Sequence, residues 1–121
     1  TGRLDDIPSV LQASDLFVFP TLDEALGMSA VEAQACGLPA VASRTGGVPD
    51  VVEDGATGLL VPPRNSVELA AALRRLVLDE ALRRRFALAA RERAVAEFSR
   101  QTMITRYSDL FTELAAKRRA A

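Results

Sequence analysis

The sequence has no histidine and no tryptophan, and among its 121 residues there is one cysteine, Cys36. Without histidine the usual zinc and iron ligand sets cannot be assembled, and acid–base catalysis by imidazole is excluded. A lone cysteine cannot close an internal disulfide. Charge of either sign is not in excess: 15 basic and 16 acidic side chains leave a formal net charge of −1. There is thus no broad positive field to draw in nucleic acid or an anionic membrane surface. No apolar run approaches the roughly 18–20 residues that a membrane helix needs, and no basic stretch followed by an apolar one stands at the N-terminus. A cytoplasmic protein without nucleic-acid partner or integral membrane segment is the expectation.

What is present is 49% apolar and 26% charged residues, the composition of one globular domain over residues 1–121 with a core of its own. It opens at Thr1 and enters a helix-like segment at once, which is compatible with a piece of something longer. In "DIPSVLQASD", Ile7, Val10 and Leu11 have helical spacing, with Pro8 suited to a first turn. "LFVFP", Leu16 to Pro20, is a continuous apolar run that predicts a central parallel strand covered on both faces. A helix is expected from Met28 to Ala35, closed by Gly37, then a strand in "PAVAS", one or two helical turns in "VPDVVEDG" and a third strand in "GLLVPP". Asn65 and Ser66 can cap a helix with the apolar stripe Leu69, Ala72, Leu73, Leu76 and Val77. Asp79 can cap another carrying Leu82, Phe86, Ala90, Ala94 and Phe98, and a last helix carries Ile104, Tyr107, Leu110, Phe111 and Leu114.

Alternating strands and helices imply an α/β fold: a partial Rossmann-like parallel sheet of about three strands, helices on both faces, and a helical C-terminal half. Ligands of such sheets sit at the carboxyl ends of the strands. The glycine-rich turns "TLDEALG" and "SRTGG" each follow a strand, on that same edge. A glycine at a helix start allows close approach to the backbone, and the free N–H groups of the first turn attract an anion such as phosphate. Gly27, Met28 and Ser29 would supply those groups, flanked by Glu24 just outside the helix and Glu32 about one turn inside. Carboxylates accept well from vicinal hydroxyls, and backbone donors for phosphate beside two acceptors for diols describe a sugar nucleotide.

Plainer readings stand beside each of these. Ser29 to Glu32 fits a capping box, in which Glu32 only satisfies a backbone N–H. Glu24 can be a solvated turn residue, Gly46 and Gly47 a tight turn, and Cys36 a small core residue.

Taken together, "ASDLFVFPTLDEALGMSAVEAQACGLPAVASRTGGVPDVVEDGATGLLVPP" closely resembles the C-terminal, donor-binding domain of retaining GT-B glycosyltransferases of family 4, the glycosyl transferases group 1. The strand, the glutamates eight apart, "EAQACGLP", "GGVPD" and "GATGLLVPP" occur in the family's order and spacing, from about Asp6 to Phe98. The resemblance implies that Glu24 contacts hydroxyls of the donor sugar as the catalytic-site carboxylate, and that Glu32 holds the ribose hydroxyls. It implies backbone contacts to the diphosphate and sugar from Gly27, Met28, Ser29 and Ala30, with Leu26, Gly46 and Gly47 also substrate-binding, the glycine pair as a wall of the cleft. No metal ligand and no cofactor are implied; a nucleotide-diphosphate sugar is the donor substrate.

Departures are Ala25 and Leu26 where the family often has glycine and phenylalanine, and Asp50 where it often has glutamate. Neither Arg3 nor Arg44 matches the basic residues that neutralise the diphosphate in relatives. The N-terminal GT-B domain, which would be a partner of this one, is expected to be missing. So the chain is expected to be a truncated C-terminal half that does not turn over alone. A stand-alone nucleotide-sugar binding module, or half of a two-chain transferase, is the alternative. In the family the segment over 99–121 is a crossover helix that packs on the N-terminal domain, so its apolar stripe would be exposed here, free to support a homo-oligomer.

Overall fold

The computed structural model describes residues 5–120. Its elements run α1 (Ile7–Gln12), β1 (Phe17–Phe19), α2 (Met28–Ala35), β2 (Ala40–Ser43), α3 (Val48–Val51), β3 (Gly58–Val61), α4 (Ser66–Leu78), α5 (Glu80–Phe98) and α6 (Arg100–Ala120). The three strands are all parallel and lie in the order β1-β2-β3. Every residue of β2 is buried, because it is the middle strand and both its faces are covered.

Two apolar clusters, one on each face, hold the sheet. Ala40, Ala42 and Leu60 face α2 and α3, where they meet Ala30, Val31, Val48 and Val51, with Phe17, Phe19 and Phe98 at the rim. Val41, Leu59 and Val61 face the other way, onto Ala72 and Leu76 of α4 and Leu82 and Phe86 of α5. At the start of β3 the backbone lies close on that of β2: a Cβ on Gly58 would lie 2.2 Å from the Ala40 carbonyl oxygen. Only glycine fits there.

Two expectations need correction. β1 is not central: it is an edge strand of the sheet, and Val18 is 39% exposed. A continuous apolar run reads as a strand buried on both faces, but α4 lies over β2 and β3 and leaves the Val18 face of β1 uncovered. Val77 likewise leaves the predicted stripe of α4 and stands 59% exposed, one residue round the helix from the fully buried Leu76.

Side chains close the helix ends as their types predict. Asn65 caps α4 by accepting the Glu68 N–H (3.0 Å), and Asp79 caps α5 through the Leu82 N–H (2.9 Å). Arg83 donates to the last carbonyls of α4, at Leu76 (2.8 Å) and Val77 (3.1 Å). Buried Gln34 ties α2 to α3 by donating to the Val51 carbonyl (3.1 Å), while its own Oε1 has no partner. On the outer edge of β3, Asp54 accepts the Leu60 N–H (2.9 Å) and pairs with Arg44, so this edge is sealed by the chain itself.

The long α5 starts under α4 and continues along α2, burying Leu82, Phe86, Ala90 and Ala94 at every fourth position. After Ser99 the chain turns into α6, whose Ile104, Tyr107, Leu110, Phe111 and Leu114 are all exposed. Glu97 of α5 pairs with Arg106 of α6, and this hydrogen bond holds the Glu97 carboxyl below the usual glutamate range. Among the described residues no helix is long and apolar enough to cross a membrane.

Phe86, 1% exposed, links α5 to the sheet, so Phe86→Ala should cost about 3–5 kcal/mol in urea unfolding. The exposed control Val77→Ala should stay within about 0.5 kcal/mol. Because folding lowers the Glu97 pKa, its contribution is complete above the ordinary glutamate value of about 4.3 and is lost as acid passes below it. Limited proteolysis across the α5–α6 junction should therefore speed up in acid in the parent chain, and Glu97→Gln should remove most of that pH dependence.

Candidate functional site

The site is built where β1 and β2 end. After Phe19 the chain passes through Pro20 and the "TLDEALG" turn before α2 begins at Met28. Gly27 is the N-cap of α2 in the left-handed conformation (φ 91°, ψ 53°), and no side chain caps the helix. Its own carbonyl takes the N–H groups of Ala30 (2.9 Å) and Val31 (3.1 Å). The N–H groups of Gly27, Met28 and Ser29 are left without an acceptor among the described residues. They form the positive end of the helix dipole.

Glu24 is half-buried, its side-chain stem packed over Gly27, where an added Cβ would lie 3.7 Å from the Glu24 Cγ. Glu32 is exposed on α2, one turn after Met28 on the same stripe of the helix. Neither carboxylate has a hydrogen bond or ion pair among the described residues. The capping-box reading of Ser29 and Glu32 is excluded, because the cap is Gly27, two residues before Ser29, and the helix starts at Met28. The N–H of Ala30 is also unavailable, being spent inside the first turn, so the backbone donors are three and not four.

The second glycine-rich turn is the wall against which the first is shaped. A Cβ on Gly46 (φ 50°) would fall 1.8 Å from the Glu24 carbonyl oxygen, and one on Gly47 would fall 2.2 Å from that of Ala25. The Gly47 N–H donates to the Glu24 carbonyl (3.1 Å) and the Thr45 hydroxyl to the Leu22 carbonyl (3.3 Å). Backbone therefore lies directly on backbone. The tight-turn reading of Gly46 and Gly47 misses this contact, and Thr45, not singled out from sequence, is a third member of the clamp. Arg44 offers no countercharge, since it is paired with Asp54; Arg3 lies outside the described residues. Cys36 is half-buried at the end of α2, away from these donors.

Leu26 (40% exposed) and Met28 (57% exposed) project beside the donors and form one end of an apolar groove of about 520 Å³ that runs to Phe98, Tyr107 and Leu110. Among the described residues no group of three or more acidic or cysteine side chains could hold a metal ion. The arrangement can therefore bind an anion by backbone dipoles, with two unengaged carboxylates alongside to accept hydroxyl protons.

The family model described as glycosyl transferases group 1 matches residues 1–93. The chain is 41% identical over 110 residues to the D-inositol 3-phosphate glycosyltransferase of Corynebacterium jeikeium, a match that covers 91% of this chain and 26% of that protein. It is 40% identical over 119 residues to the glycogen synthase of Mycobacterium tuberculosis, covering 97% of this chain and 28% of that one. Among solved structures, HepE of Anabaena in complex with UDP superposes with a TM-score of 0.85 at 32% identity, over 91% of this chain and 30% of HepE. HepE has also been solved with UDP-glucose. The chain thus spans about a quarter of the length of the curated relatives it matches.

Gly46→Ala should drive a methyl into the Glu24 carbonyl and displace the turn. A cost above about 2 kcal/mol in thermal unfolding, with large amide shifts from Ala25 to Ser29 in NMR spectra, is expected. Gly55→Ala is the control: its φ is also positive (80°) but nothing lies within 4 Å, so only the left-handed penalty of about 1 kcal/mol applies.

Proposed function

The chain belongs to the glycosyl transferases group 1 family, and from this we propose that it is the donor-binding part of a retaining GT-B enzyme that moves a hexosyl group from a nucleotide sugar to an acceptor hydroxyl. The observation that carries this reading is the set of three unengaged N–H groups at Gly27, Met28 and Ser29 beside the unpartnered carboxylates of Glu24 and Glu32.

In this reading the donor diphosphate lies on the start of α2. Glu32 accepts from the ribose hydroxyls, and Glu24, fixed by the glycine clamp, accepts from hydroxyls of the transferred sugar. Leu26 and Met28 line the cleft, Gly46 and Gly47 hold its wall, and Ala30 contributes packing at the foot of the helix. As the glycosidic bond breaks, negative charge grows on the leaving diphosphate and positive charge on the sugar. Preorganised backbone dipoles stabilise the first and Glu24 the second, so no covalent nucleophile is required. The sugar keeps its anomeric configuration. No cofactor takes part. An N-terminal GT-B domain supplies the acceptor site and the remaining cleft walls, and packs on the exposed stripe of α6; without it the chain does not turn over.

Calorimetric titration with UDP, the nucleotide bound by HepE, and with GDP and ADP tests the reading. One of them should bind, and Glu32→Ala should weaken it about tenfold or more, the loss expected for a charge-assisted hydrogen bond. Glu24→Ala should leave the nucleotide unaffected and weaken the corresponding nucleotide sugar. Equal affinity in the parent and Glu32→Ala chains, or sugar transfer by the 121 residues alone, would overturn it.

A further inference from the structure

The sheet has a second opening at its carboxyl edge, on the face turned away from α2. Pairing runs Phe19 with Ala42 and Ser43 with Val61, so the last row across the strands on the α4 face is Pro20, Ser43 and Val61. The row beneath it, Val18, Val41 and Leu59, is wholly apolar. Ser43 shares its face with Val41 and Val61, which pack under α4, yet it brings a hydroxyl to a position that the pattern fills with hydrocarbon.

That hydroxyl is unusual in its surroundings. Ser43 is 3% exposed and makes no side-chain hydrogen bond among the described residues. It lines a cavity of about 200 Å³ between Leu22, Val61, Arg64 and Ser66. With no protein partner and an opening onto the cavity, the hydroxyl is left to bond whatever the cavity holds. Arg64 stands at the rim, held at φ 61°, with its guanidinium in no ion pair or hydrogen bond among the described residues. Ser66 opens the 13-residue α4, whose cap Asn65 accepts the Glu68 N–H (3.0 Å) and donates its Nδ2 to the Glu68 carboxylate (2.8 Å), leaving the Ser66 N–H and hydroxyl unengaged among the described residues. Among the described residues no acidic side chain lines the cavity.

Three donor-bearing residues, one of them a full positive charge, thus line a small chamber whose remaining walls are apolar, from Pro20 and Leu22 to Val61 and Leu69, apart from Asn65, whose side chain is spent on Glu68. We propose that this chamber is a second binding site, for a small organic anion: a phosphate or carboxylate head held by Ser43, Arg64 and Ser66, and a compact apolar body against Leu22 and Val61. A cavity of about 150 Å³ already holds a benzene ring, so the body fits, whereas a nucleoside does not. The chamber is distinct from the donor cleft because it lies on the opposite face of the sheet. It touches that cleft at one point, the Leu22 backbone, which accepts the Thr45 hydroxyl (3.3 Å).

Residue-resolved NMR titration of the 121-residue chain with phenyl phosphate, benzoate and uncharged benzyl alcohol tests this. At least one of the two anions should shift the Leu22, Ser43 and Ser66 amides saturably, benzyl alcohol should not, and the anion that acts identifies the head group. Ser43→Val fills the chamber in keeping with the apolar rows, and Arg64→Gly removes the charge while suiting the positive φ. Each should leave the spectrum of a folded chain and weaken the anion at least about tenfold. Saturable shifts confined to Gly27–Ser29, equal response to benzyl alcohol, no response to either anion, or unchanged affinity in both variants would overturn it.

Discussion

The contact of the Gly46–Gly47 backbone with the Glu24–Ala25 backbone decides the shape of this end of the molecule. A peptide carbonyl can sit where a Cβ would be only when the facing residue has none, and here the separations to an added Cβ would be 1.8 and 2.2 Å. Two loops from adjacent strands are thereby locked face to face by one N–H to carbonyl bond and one hydroxyl. Everything downstream inherits that registration. Glu24 packs over Gly27, Gly27 turns left-handed to start α2, and the first-turn amides end up beside the carboxylate.

The rest of the fold supplies a rigid base for that contact. β2 is short and built of small residues, so the helices on the two faces can be brought near the sheet, and Gly58, having no Cβ, lets the start of β3 lie on the Ala40 carbonyl. α5 carries load on both sides: Leu82 and Phe86 join the cluster under α4, and Phe98 reaches the cluster beneath α2. The two edges of the sheet are treated differently. Asp54 and Arg44 close the β3 edge, while β1 keeps a partly exposed face at Val18. With the apolar face of α6, this concentrates the exposed hydrocarbon on particular sides of the domain, as expected of a unit spanning about a quarter of its relatives' length.

Most of the fold was legible in the sequence because its signals are local. Asn65 and Asp79 cap the helices they precede, Gly37 (φ 79°) closes α2, and the four-residue spacing from Leu82 to Ala94 marks the buried side of α5. The position of β1 was not legible: "FVF" looks the same whether or not a helix covers Val18, and which face is covered depends on where α4 lands. Val77 failed for the same reason, since a stripe drawn from spacing is wider than the surface a neighbour covers.

The site divides along the same line. Sequence alone determined that glutamates, glycines and a helix start would gather after the strands, because that follows from the order of residue types and from the geometry of parallel sheets. Only the tertiary structure decided that Gly27 and not Ser29 caps α2, that Ala30's amide is already engaged while three others are not, and that Gly46 and Gly47 are required by a contact with a turn more than twenty positions earlier. It also decided that Ser43 faces an open chamber while Val41, two residues before it, is sealed under α4. Each of these depends on how closely two distant pieces of backbone approach, a distance of a few ångströms that no local pattern encodes.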